Sequence, residues 1–227
     1  MRKAALEVAE AMSAEPAERR PYHREDLRRE LLEAALSHVR DHGHHGLSVR
    51  TLAQAVGVSP GAPYHHFKDR RALLLAIALH GYEALGAAAA HAASSNATAK
   101  DKLLALCLSF IDFAQANPRL LELMYESELT SPTPDPMLLE HQHAGRSALQ
   151  AQLEWALPSL TEEARTLRLL SLWSTVYGFA SLRNKHLIDP FEPAGSSPDQ
   201  IARGTLRLAV EAALRQPADG LAPSTIA

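Results

Sequence analysis

Residues 48–73 read SVRTLAQAVGVSPGAPYHHFKDRRAL, and the spacing of apolar and turn residues in this stretch governs how the rest of the chain is read. Val49, Leu52, Ala53 and Val56 recur at i, i+3, i+4 and i+7, one face of a short helix. Ser48 precedes that face, where a hydroxyl accepts a hydrogen bond from an unpaired N–H at a helix start. Gly57 follows it, suited to the left-handed backbone that closes a helix. Ser59 is a second cap, with Pro60 at the first helical position, where its missing N–H costs nothing. A second helix over 59–67 is therefore expected after a tight glycine turn. Helix, turn and helix at this spacing form the helix-turn-helix arrangement, whose second helix enters the DNA major groove. The leading functional expectation is DNA binding.

The 227 residues suit one large or two small domains with a substantial core. With 46% hydrophobic and 22% charged residues, the composition is that of a folded globular protein and not of a disordered one. No run of 18 or more apolar residues is present, so no membrane span is expected. Glu7 and Glu10 interrupt the opening residues, so no signal peptide is expected either. Cys107 is the sole cysteine, which excludes an internal disulfide and fits a reducing cytoplasm; on an apolar helical face it reads as a buried structural thiol. The net charge of −3 hides a division: residues 19–71 carry 10 Lys+Arg against 6 Asp+Glu, and residues 72–227 carry 11 against 16. A basic segment on an acidic body suits local attraction to phosphate. Part of that excess is ordinary helix surface, because Arg24, Arg28 and Arg29 stand beside Glu25, Asp26 and Glu30.

Helical periodicity runs through nearly the whole chain. Residues 24–40 place Leu27, Leu31, Ala34, Ala35 and Val39 on one stripe, with Gly43 as a stop. Further helices are expected over 69–92, 100–116, 119–128, 137–157, 161–186 and 198–214, with linker chemistry at 94–98, 130–136 and 189–198 and a frayed tail from Gln216. Nine or ten helices without a strand pattern make an all-α protein. No Gly-rich phosphate loop, nucleophile elbow or HExxH is present, so no enzyme is expected. Seven of the twelve histidines lie between 23 and 66. His42, His44 and His45 are candidate metal ligands, but they lack the fixed spacings of structural zinc sites. His141 and His143, two apart on a helix, point away from each other. Neither a metal nor a cofactor is expected.

The series Leu52-Ala53, Gly57-Val58-Ser59, Tyr64, Phe67 and Leu73 resembles the DNA-binding domain of the tetracycline-repressor (TetR) family of bacterial transcription regulators. The likeness extends back through 22–46 and covers about the first third of the chain. Farther on, Phe113-Ala114, Asn117-Pro118, Leu121 and Met124-Tyr125 resemble a subgroup whose late helix carries Trp-x-x-Val-His-Gly (WHG). Here that motif reads Trp173-Ser174-Thr175-Val176-Tyr177-Gly178, with tyrosine in place of histidine. Two positions depart from the family pattern. Arg70 stands for the usual lysine after the recognition helix, keeping the charge with a fork for phosphate. Pro63, before the signature tyrosine, removes a donor in the first turn, so a slightly irregular start to that helix is expected.

The resemblance implies an N-terminal arm over 1–22, a three-helix DNA-binding domain over 23–84, and a helical ligand-binding and dimerisation domain over 85–227. It assigns Ser48, Arg50, Tyr64, Lys68 and Arg70 to phosphates and Pro60, Gly61, Ala62, His65 and His66 to base edges, with Ser59 opening the helix. Phe110, Phe113, Met124, Tyr125, Trp155, Trp173 and Tyr177 are candidates for a ligand pocket, though for any one of them alone plain core packing is the favoured reading. Gly178 and Gly204, inside helical patterns, are candidates for close helix approach, and 183–186 for an interface edge. The implied function is a homodimeric repressor, paired through its last two helices, that leaves a near-palindromic double-stranded operator when a small effector binds. The alternative is a DNA-binding dimer controlled by a protein partner or acting architecturally.

Overall fold

A computed structural model of the chain describes residues 24–93, 97–191, 193 and 195–216. The arm expected at 1–22, His23 and the tail beyond Gln216 lie outside the described residues. Eight α-helices follow one another: α1 (Arg24–His42), α2 (Val49–Val56), α3 (Arg70–Ala93), α4 (Ala99–Ala116), α5 (Pro118–Tyr125), α6 (Pro136–Ala156), α7 (Glu162–Asn184) and α8 (Pro198–Ala213). Two 3-10 turns, Ala62–His65 and Asp189–Phe191, complete the described elements, and no strand is present among them. The fold is all-α.

Polar caps set the helix starts. Thr98, Asp135 and Thr161 accept from Asp101, Met137 and Ala164 N–H groups at 3.2, 3.1 and 3.2 Å. Ser197 and Gln200 cap α8 reciprocally. Asp69 caps α3, accepting from Ala72 N at 2.7 Å. Pro118, Pro136 and Pro198 occupy first-turn positions, where the missing N–H has no intrahelical partner to lose.

Helix α4 is the centre of the molecule and packs against α3, α5, α6, α7 and α8. Its inner stripe of Leu103, Cys107, Phe110, Ile111 and Ala114 is buried. Burial pushes the Cys107 thiol up to about 12, so it stays protonated and serves as packing. Helix α1 packs on α2, α3 and α5. One continuous core therefore joins Leu31, Val39 and Leu52 near the N-terminus to Leu172, Val176 and Leu206.

By length and composition alone, α3 is apolar enough over Arg70–His91 to cross a membrane. Its stripe of Leu73, Leu74, Ile77 and Ala78 is fully buried against neighbouring helices, each large side chain contributing about 1.5–3 kcal/mol. Core packing accounts for part of that composition, since 33% of the apolar window is buried within the chain.

One close helix approach within the chain lies between α3 and α5. A Cβ added at Gly81 would sit 2.6 Å from Met124 Sδ and 3.3 Å from Leu120, so glycine lets α3 settle onto α5. At Gly178 and Gly204 an added Cβ would meet nothing within 4 Å. Within the chain these two glycines mark no helix contact, because they face away from it.

Candidate nucleic-acid interface

The first helix of the motif is held at both ends. Thr51 N donates to Ser48 Oγ at 3.1 Å, and Ser48 N donates back to Thr51 Oγ1 at 3.0 Å. Gly57 takes φ +76 and its N–H reaches Ala53 O at 3.0 Å, while Val58 N reaches the same carbonyl at 3.1 Å. Val49, Leu52 and Ala53 are buried, leaving Arg50, Thr51 and Gln54 exposed on the opposite side.

The second helix is shorter than the expected 59–67. It is a single 3-10 turn over Ala62–His65, with Gly61 at its cap position and no side-chain cap bond, so Ser59 and Pro60 stand before it instead of opening it. The cause is local. Pro63 has no N–H for Ser59 O, and its ring crowds that carbonyl, so the i→i−4 ladder cannot start there. Bonds of i→i−3 type replace it: Ala62 N to Ser59 O at 3.0 Å, Tyr64 N to Gly61 O at 3.2 Å and His66 N to Pro63 O at 2.9 Å. Pro63 and Phe67 are buried and anchor the turn, and the Arg28 guanidinium lies 5.7 Å from the Phe67 ring centroid.

Around this anchor, Ser59, Pro60, Gly61, Tyr64, His65 and Lys68 are exposed, with Ala62 and His66 partly covered. Tyr64 is 52% exposed, so its ring is not core. Together with Arg50, these residues make a surface with two cations, several small side chains and no carboxylate among them. The Ser48 hydroxyl is already engaged in the α2 cap.

Arg70 does not join that surface. Its Nε donates to Leu47 O at 2.9 Å, its Nη2 to His44 O at 2.8 Å, and its Nη1 pairs with Glu128. The fork expected on phosphate instead clasps the α1–α2 loop to the start of α3 and to the segment after α5. Arg71 donates to Glu128 O at 2.8 Å and pairs with Asp135 at 3.3 Å. Arg119 of α5 donates to the last carbonyls of α1, Arg40 O at 2.9 Å and Asp41 O. These arginines, 57 to 79 residues from those partners on the other side of the joint, carry no local sequence signal, and the sequence reading missed their role.

Among the pocket candidates, Phe110, Tyr125, Trp173 and Tyr177 come together with Tyr82. Ring centroids are 5.0 Å apart for Phe110–Trp173 and 5.3 Å for Tyr125–Tyr177. Met124 and Phe113 are buried in the same core. Trp155 stands apart, 65% exposed, its ring 5.9 Å from Lys102 Nζ. The Tyr177 hydroxyl finds its polar partner within the chain, donating to Glu126 Oε1 at 2.8 Å. Burial foremost, and that carboxylate next, push the Tyr177 phenol up. Lys185 also pairs with Glu126, at 2.9 Å. Arg183 and Asn184, expected near an interface edge, donate to Pro198 O and Ala114 O within the chain, and His186 lies 3.2 Å from Asp189.

Residues 31–77 match the family described as bacterial regulatory proteins, tetR family, and residues 103–208 match the tetracyclin repressor-like C-terminal domain. Over 51 residues, 22% of this chain and 27% of the relative, it is 47% identical to the HTH-type transcriptional repressor AcnR of Corynebacterium diphtheriae. Over 62 residues, 27% and 33% of the two chains, it is 40% identical to the HTH-type transcriptional repressor Rv1474c of Mycobacterium tuberculosis. The match thus spans about a third or less of the length of these curated relatives. Likeness of fold reaches further. A protein of unknown function from Rhodococcus sp. RHA1 superposes with a TM-score of 0.70 at 30% identity, covering 86% of this chain and 97% of that one. A bacterial regulatory protein of the tetR family from Rhodococcus RHA1 gives 0.60 at 20% identity, covering 85% and 98%.

Proposed function

Because the chain belongs to the tetR family of bacterial regulatory proteins, we propose that it acts as a homodimeric transcriptional repressor. It binds double-stranded DNA in the cytoplasm without catalysis and leaves its operator when a small effector binds. The observation that carries this reading is the exposed surface on and around the 3-10 turn, where Arg50, Ser59, Pro60, Gly61, Tyr64, His65 and Lys68 border a glycine-closed α2. Ser48, Arg50, Tyr64 and Lys68 serve phosphates; Pro60, Gly61, Ala62, His65 and His66 face bases, the small ones touching thymine methyls and His65 supplying a hydrogen bond. Arg70 leaves the phosphate set and becomes a positioning residue.

In this proposal residues 23–84 bind DNA and residues 85–227 regulate, with α3 continuous across that boundary. The aromatic cluster around Trp173 is the effector side of the molecule. An effector shifts operator affinity by no more than its differential affinity for the two head spacings. Selection of bound fragments from random DNA by the full chain tests the proposal. It should return a near-palindrome with half-sites about one turn, roughly 34–36 Å, apart. Recovery of unrelated fragments, with no enriched half-site, would refute sequence-specific repression.

A further inference from the structure

We propose that His44, His45 and Glu122 form a binding site for a divalent transition ion of the zinc class, joining the α1–α2 loop to α5. One donor atom from each of the three side chains lies within 4.8 Å of the others. His45 Nε2 and Glu122 Oε1 are 3.6 Å apart, close to the roughly 3.3–3.5 Å that separates two ligands each about 2.0–2.1 Å from a tetrahedral zinc. Two imidazoles and one carboxylate, with a fourth position left to water, suit zinc and its first-row neighbours better than magnesium or calcium, which favour all-oxygen shells.

The second observation is His44 itself. Its side chain is 1% exposed, and its Nδ1 is buried without a hydrogen-bond partner. A buried polar nitrogen is rarely left unsatisfied in a native protein. An ion pair between His45 and Glu122 would explain two of the three residues and leave this one without an account.

The loop is built to hold its rings in place. Gly43 turns it at φ +77, and Arg70 grips the carbonyls of His44 and Leu47 at 2.8 and 2.9 Å. The positive charge of Arg70 is answered by its pairing with Glu128. His45 and Glu122 have side chains 79% and 45% exposed, which provides an entry path from solvent. The ion would cross the joint that Arg119 also crosses, and would fix the DNA-binding helices against α5. It stands outside the aromatic cluster assigned to the effector.

The test uses the full chain, stripped with chelator and titrated with zinc against a chromophoric competitor, with cobalt as a visible-absorption probe. Wild type should take up one ion per chain at the site. Glu122→Gln and His45→Gln, both exposed positions that leave the core intact, should each weaken uptake at least about tenfold. A His141→Gln/His143→Gln chain should bind as wild type does. Absence of uptake by wild type, or uptake that survives either the Glu122 or the His45 substitution, overturns the site.

Discussion

Arg70 and Lys68 are two residues apart and carry the same charge, yet their surroundings assign them different work. Lys68 is exposed, while Arg70 spends its fork on two loop carbonyls and Glu128. Lys68→Ala should leave thermal stability unchanged and reduce the salt dependence of DNA binding by about one counterion. Arg70→Ala strips the partners from those acceptors and should lower stability by about 1–3 kcal/mol. Arg70→Lys, which keeps the charge and loses the fork, should restore little of that loss. Denaturant unfolding checks both, and full restoration by lysine would show that charge alone matters there. Glu126 offers a pH-resolved counterpart. Burial alone would raise its pKa, but hydrogen bonds from Lys185 and Tyr177 outweigh that and hold it below the ordinary 4.5. A depressed carboxylate contributes stability that is present above its unfolded value and is lost as pH falls through the folded one. Unfolding free energy should therefore decline below about pH 4.5, and Glu126→Gln should flatten that decline. Identical acid slopes in the two chains would remove Glu126 from the account.

The 3-10 turn shows where reading the chain by local pattern succeeds and where it stops. Caps at Ser48, Asp69 and Thr161 and the glycine stop at Gly57 act within four residues of their own position, so α2, α3 and α7 were legible from spacing. Tyr64, exposed, and Phe67, buried, were singled out by the family resemblance and not by that local pattern. Pro63 was legible as a perturbation but not in its extent, because the bonds that replace the lost one are of i→i−3 type until Phe67 N reaches Pro63 O. Arg70, Glu122, Glu126 and Met124 were illegible as partners, since each acts on an element dozens of residues away. If Pro63 sets the turn, Pro63→Ala returns the missing donor, and the segment should lengthen toward an α-helix beginning near Ser59. Backbone chemical shifts and amide exchange over 60–67 measure this directly. The variant should also bind DNA with an altered base preference and an unchanged salt slope, because Lys68 and Arg50, proposed for phosphates, are untouched. A turn that stays 3-10 in Pro63→Ala would place the cause in the surrounding packing.

The proposed pairing rests on what α7 and α8 leave uncovered. Leu167 and Leu170 on α7 are 50% and 60% exposed and Leu208 on α8 is 70% exposed, while Gly178 and Gly204 face open space. Small and apolar positions on the outside of two adjacent helices are what a second copy can cover, since a glycine that meets nothing in its own chain allows another helix to approach. A self-complementary interface of standard size would bury about 1,600 Å² in total. Two heads on one dimer bind a two-half-site operator with an avidity that exceeds a single head by about 10²–10⁴-fold. Leu170→Glu with Leu208→Glu places charge on both helices at positions that are mostly exposed in the isolated chain, so the fold should hold and the pair should part. Sedimentation should then report monomers, and affinity for the palindromic operator should fall by about that avidity factor while affinity for a single half-site stays the same. A charged variant that still sediments as a dimer would move the interface to another face, and monomers that bind the palindrome undiminished would break the link between pairing and operator recognition.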